Sequence, residues 1–190
     1  MKLTEMTKIF LATLGMGLGA STFAAPSQNG IVKLQGTIYS STCTVTVNDQ
    51  LLGNGTPIVN MGRYSTSSFG NTGSIVGGKN GNGELKVVAS DCPDSGTVKM
   101  KFSGTAVSTD GNVLAIDSDG GKEAQNLGII IYQGKDLNNP LAINKEYIYN
   151  LTGGDNKEYV QDFRAAYVST ADTVTAGSAN STMNVNMEYN

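Results

Sequence analysis

Apolar and polar residues alternate along much of this chain, and between positions 30 and 47 the alternation changes phase. From 30 to 38 the even positions Gly30, Val32, Leu34, Gly36 and Ile38 form one face, opposite the mainly polar Lys33, Gln35 and Thr37. From Tyr39 onward the apolar set moves to odd positions, Tyr39, Cys43, Val45 and Val47, opposite Thr42, Thr44 and Thr46. Side chains alternate strictly along a strand, so a phase change turns the two apolar faces in opposite directions. A bulge near Ile38 would do this, and so would two strands that serve two different cores. The pattern alone leaves both open.

Further along, the spacing predicts a series of short strands. Residues 56–61, with Pro57 near the start, read as an edge strand. Residues 62–83 are rich in Ser, Gly and Asn and read as loop with one helical turn. Residues 84–90 form a strand that delivers Cys92 to a partner, and 97–103 a second, with Val98, Met100 and Phe102 on one face. Residues 112–116 and 127–133 bracket a polar loop, and 127–132 is apolar on both faces, as a central strand is. Signals over 141–149 are weaker. In 158–169, Tyr159, Phe163, Ala165 and Tyr167 share a face. In 182–190, Met183, Val185, Met187 and Tyr189 alternate against Asn184, Asn186 and Glu188, and no later segment follows to pair beyond them. Short strands joined by Gly, Asn and Asp turns predict an all-β sandwich, with no internal repeat and no second domain boundary.

The first 24 residues change the picture from a fold to a location. Lys2 and Lys8 precede an apolar run, 9–18, too short to span a bilayer, and small residues follow. This is the pattern of a cleavable secretory signal, with cleavage expected between Ala24 and Ala25 and with Thr22 and Ala24 at the recognised positions. Of 13 basic and 16 acidic residues, Lys2, Lys8 and Glu5 leave with the signal, so 11 and 15 remain and the net charge is −4. That balance argues against nucleic acid or an anionic membrane surface as partner. Export makes a Cys43–Cys92 disulfide the expected state of the two cysteines. Closing a loop of about 50 residues contributes roughly 4 kcal/mol in the chain-entropy model.

Candidate chemistry is sparse. The chain has no histidine, which removes the usual hydrolytic triad and histidine-bearing zinc sites. Residues 73–79 match the spacing of a phosphate loop, but Asn80 stands where Ser or Thr must bind magnesium, and neither strand nor helix flanks it. Asp117, Asp119 and Gly120 begin like a calcium loop, yet the later Glu is not at its required spacing. The acids are scattered through turns rather than gathered at strand ends. No catalytic, cofactor or metal site is expected, and the chain is not expected to be an enzyme.

Several pieces, in order and spacing, resemble the subunits of chaperone–usher fimbriae, in particular the type 1 major pilins. They are Gly36 seven residues before Cys43 in GTIYSSTCTV, VVASDCP around Cys92, KFSGTA from Lys101, NVLAI from Asn112 and LGIIIY from Leu127. FRAAYVST from Phe163, Gly177 fourteenth from the end and penultimate Tyr189 complete the set. The resemblance covers essentially the whole exported chain. It implies an incomplete immunoglobulin-like β-sandwich that lacks its final strand and is completed by a donor strand from another subunit. It further implies a signal peptide at 1–24, a donor arm at 25–38 and a pilin domain at 39–190.

On that resemblance, Gly30, Val32, Leu34, Gly36 and Ile38 make the donor strand, and Gly36 matches the family's arm glycine. Gly30 gives this arm less apolar surface than a fully alternating one. Gly177, Met183, Val185, Met187, Tyr189 and Asn190 serve the acceptor groove and chaperone recognition. The implied partners are identical or related pilin subunits, a periplasmic chaperone and an outer-membrane usher, with passage through the periplasm to a cell-surface fimbria. No host receptor is indicated. The alternative is a monomeric β-sandwich adhesin or carbohydrate-binding module; an adhesin of this family carries an extra receptor domain and lacks a donor arm.

Overall fold

The computed structural model describes residues 43–92, 95–107, 111–152 and 158–190; the expected secretory signal and donor arm, residues 1–38, lie outside them. Among the described residues, the strands fall largely where apolar residues alternate. The elements are β1 (Thr44–Val47), β2 (Gln50–Leu51), β3 (Ile75–Val76), β4 (Glu84–Ser90), β5 (Ser95–Ser103), β6 (Val113–Ala115), β7 (Leu127–Gln133), β8 (Glu146–Thr152), β9 (Tyr159–Ser169) and β10 (Asn184–Tyr189). The larger sheet runs β2-β1-β4-β9-β7-β6, with β3 also on β9, and the smaller runs β10-β5-β8. All strand pairs among the described residues are antiparallel.

The inner faces follow from the period of two. Leu85, Val87 and Ala89 of β4 are buried, whereas Glu84 and Lys86 point outward. Val98, Met100 and Phe102 of β5 face them from the other sheet and are fully buried. Phe102 meets Phe163 of β9 edge to face with ring centroids 5.0 Å apart, joining the two sheets. The apolar run of β7 is buried on both sides, as a strand between β9 and β6 must be. Antiparallel pairing of β1 with β4 sets Thr44 opposite Ser90, and just beyond that register Cys43 and Cys92 form a disulfide with Cα atoms 4.3 Å apart.

Three elements differ from expectation. Residues 56–61 belong to no strand, because among the described residues no neighbouring strand supplies a ladder. The Ser/Gly/Asn-rich loop contains the expected helical turn, Thr66–Ser68, capped by the Ser65 side chain accepting from the Ser67 N–H. It also contains β3, whose Ile75 and Val76 lie opposite Val168 and Tyr167. Strand β8 extends to Thr152, past the weak signals of 141–149, because its ladder with β5 continues to Ser95.

Candidate functional site

Strand β10 pairs with β5 from Asn184 opposite Ser103 to Tyr189 opposite Val98. Among the described residues its other edge has no partner. Across from that edge run residues 52–62, and between the two lies a cavity of about 1030 Å³. Its floor is the inner face of the larger sheet: Val47, Leu85, Ile129, Ile131, Ala165 and Tyr167. Ile58, Val59 and Met61 line one wall, Met183 and Val185 the other. Close-packed interiors leave few voids larger than a water molecule, so an opening of this size is a groove into the core.

Both walls also carry free backbone. No backbone hydrogen bond among the described residues reaches 56–59, although the Asn60 carbonyl accepts from the Gly83 N–H at 2.7 Å. Ile58 is 78% exposed on this wall. Unpaired N–H and C=O groups on two facing edges, over an apolar floor, form a template for an added strand. Among the described lining residues there is no carboxylate, lysine, arginine or cysteine. The groove therefore offers shape and main-chain hydrogen bonds rather than acid–base chemistry.

The expected groove residues are distributed unevenly. Met183 and Val185 line the cavity. Met187 and Tyr189 continue on the same face of β10 and pack against the core beyond the lining. Asn190 prolongs the ladder: its N–H donates to the Thr97 carbonyl at 3.0 Å, and its carbonyl accepts from the Thr97 N–H at 2.8 Å. Gly177 is not part of the lining. A Cβ there would come within 2.4 Å of the Ala124 nitrogen and the Glu123 carbonyl carbon, so glycine permits the crossing of two chain segments. Gly30, Val32, Leu34, Gly36 and Ile38 lie outside the described residues. The disulfide residues Cys43 and Cys92 are bonded but do not line the cavity.

Sequence reasoning did not identify the wall at 52–62 or the rim at 179–182. The adjacent apolar pair Ile58 and Val59, which a strand alternating apolar and polar residues would not place together, is the signal that could have pointed to the wall. Side-chain hydrogen bonds hold the rim and the residue before it. The Tyr167 hydroxyl donates to the Ala179 carbonyl at 2.9 Å, and the Ser181 hydroxyl to the Ala115 carbonyl at 2.6 Å. Thr182 Oγ1 donates to Asp117 Oδ2 at 2.7 Å, and Ser178 Oγ to Asp119 Oδ2 at 2.8 Å. Burial pushes the Tyr167 phenol up, with the neighbouring Tyr64 adding to it. At the far end of β10 the Tyr189 and Tyr149 hydroxyls are buried without a hydrogen-bond partner among the described residues, and burial raises both.

The described residues form an immunoglobulin-like sandwich with an open core groove beside an edge strand that has no partner among them, a geometry that can accept an added strand. The fimbrial protein family model matches residues 32–190, and the chain belongs to that family. Over 189 residues it is 29% identical to the type-1 fimbrial protein subunit of Serratia marcescens, covering 97% of this chain and 99% of that protein. It is 31% identical to the probable major fimbrial subunit LpfA of Escherichia coli O157:H7, covering 97% of each.

In structure it is similar to a chain of a chaperone–usher pilus studied for rod uncoiling, with TM-score 0.55, 20% identity, and 87% and 98% of the two chains covered. It is likewise similar to the P pilus rod subunit PapA, with TM-score 0.55, 18% identity, and 79% and 100% covered. The protein is a structural subunit of a fimbria.

Proposed function

We propose that this chain polymerises head to tail by donor-strand exchange, residues 30–38 of one subunit filling the groove beside β10 of the next. The observation that carries the reading is the cavity of about 1030 Å³ between two unpaired backbone edges, floored by core side chains. A strand laid there would take up hydrogen bonds from both walls and return an apolar floor to a packed interior. Val32, Leu34 and Ile38 supply the apolar side chains, and Gly36 passes where the groove is shallow. Before assembly a periplasmic chaperone lends a strand to the same groove, and an outer-membrane usher exports the subunit to the cell surface. The secretory signal expected at 1–24 supports that route, as does similarity to a chaperone–usher pilus chain and a pilus rod subunit.

Thermal unfolding of the exported chain with a peptide copying residues 29–38 tests this. Peptide binding stabilises by mass action, about 2.7 kcal/mol at a hundredfold excess over its dissociation constant. The midpoint should rise with peptide concentration. A Leu34→Asp peptide should lose most of the effect, since it places a charge in an apolar pocket. An unchanged midpoint at large excess of the native peptide would refute the reading.

A further inference from the structure

The residues that lead into β10 are fastened to the sheet they do not belong to. Ala179, Asn180, Ser181 and Thr182 all line the cavity and continue into the smaller sheet. Yet their hydrogen bonds run to the larger sheet and its loops. The Tyr167 hydroxyl of β9 donates to the Ala179 carbonyl at 2.9 Å. The Asp117 N–H donates to the Asn180 carbonyl at 2.8 Å. Ser181 Oγ donates to the Ala115 carbonyl at the end of β6, and Thr182 Oγ1 to Asp117 Oδ2 at 2.7 Å. These bonds form a strap that ties the two sheets together at one end of the open groove.

The strap has a mechanical consequence. With the groove empty, inward movement of the walls is favoured because it removes the exposed Ile58 and the half-buried Met183 and Val185 from water. Side-chain bonds of fixed length between the rim and the larger sheet resist that movement. Once a strand is seated, its own ladder and side chains set the separation of the walls, and the strap no longer decides it.

We infer, resting on the strand-accepting reading above, that Tyr167 and Thr182 are positioning residues which keep this end of the groove in its receiving shape. They set how fast a strand is taken up rather than how firmly a seated strand is held. When a competent form is only partly populated, apparent association falls with its population. Losing one such bond therefore slows uptake and leaves release unchanged. Tyr167→Phe is a clean probe, because the ring stays on the floor against Tyr64, with centroids 6.1 Å apart, and one hydroxyl is removed. Thr182→Val keeps the shape of its side chain.

The experiment is stopped-flow association and dissociation of a fluorescent peptide copying residues 29–38 with the full exported chain. Tyr167→Phe is expected to lower the association rate constant about fivefold, the factor corresponding to one typical net hydrogen bond. Its dissociation rate should stay within about twofold of the wild type, the separation of the two rates being the diagnostic outcome. Thr182→Val should behave alike, and it carries the same test if Tyr167→Phe loses its near-ultraviolet circular dichroism. Thr72→Val is the control: that hydroxyl makes a comparable bond, 2.8 Å to Asp172 Oδ1, and Thr72 does not line the cavity. It should leave both rates alone.

Wild-type uptake with no change in association for either strap variant overturns this inference alone, as does a loss appearing in dissociation. Failure of the wild-type chain to take up the peptide overturns the strand-accepting reading and this inference with it.

Discussion

Glu123 shows how single residues shape the surroundings of the groove. Its Oε2 accepts from the Asp119 and Gly121 N–H groups at 2.8 and 2.9 Å, and its Oε1 from Gln125 Nε2 at 3.1 Å. These bonds, the Asp119 N–H foremost, hold its carboxyl below the ordinary glutamate value of 4.5. A group depressed in the folded state contributes stability that is complete above its unfolded pKa and is lost as pH falls through the folded one. Glu123→Gln should therefore flatten the acid side of the stability profile below about pH 4.5, as urea midpoints across that range would reveal. The same loop crosses Gly177, which explains that glycine without assigning it to the groove. Asp117 and Asp119, which open like calcium ligands in sequence, are engaged by Thr182 and Ser178.

Among the elements, β1 and β4 are joined twice, by four opposed residue pairs and by the Cys43–Cys92 disulfide. Val47 of β1 and Leu85 of β4 both line the groove floor, so this joint fixes part of the receiving surface. Reduction should lower stability by about 2–5 kcal/mol, the usual cost of losing a native disulfide from a small secreted domain, given a separation of 49 residues. Urea unfolding with and without reductant measures it. Strand β10 divides its residues between two tasks. Met183, just before it, Val185, Met187 and Tyr189 all pack against the core, but only Met183 and Val185 also line the cavity, so the two halves should not respond alike to substitution.

For the whole molecule, the proposed mechanism implies directional assembly. Donor arm and acceptor groove draw on separate stretches of chain, so on the proposed mechanism each can be removed without the other. A chain processed to begin at residue 35 lacks Val32 and Leu34 but keeps every described element of the sandwich. It should accept an arm from an intact subunit yet be unable to enter a neighbour. Added at substoichiometric levels, it should shorten fibres seen by electron microscopy; long fibres built from the truncated chain alone would sink the head-to-tail mechanism.

Period-two alternation and two cysteines were enough for much of this architecture. β4 and β7 occupy the residues the pattern marked, the face of β10 that carries Val185, Met187 and Tyr189 was legible residue by residue, and the disulfide pairing followed from export. These are local or compositional properties, because a strand's inner face is written in its own alternation. The groove was not legible in the same way. Residues 56–61 have the composition of a strand, and only the absence of a described neighbour makes them a wall. Likewise Ile129 and Tyr167 read as ordinary core residues, and nothing local marks the Tyr167 hydroxyl as reaching across to Ala179. Which core residues line an opening, and which edge stays unpaired, depends on where sheets packed from distant segments leave a space. That was decided by tertiary structure, since an unfilled position in a sandwich is a property of the packing and belongs to no single stretch of chain.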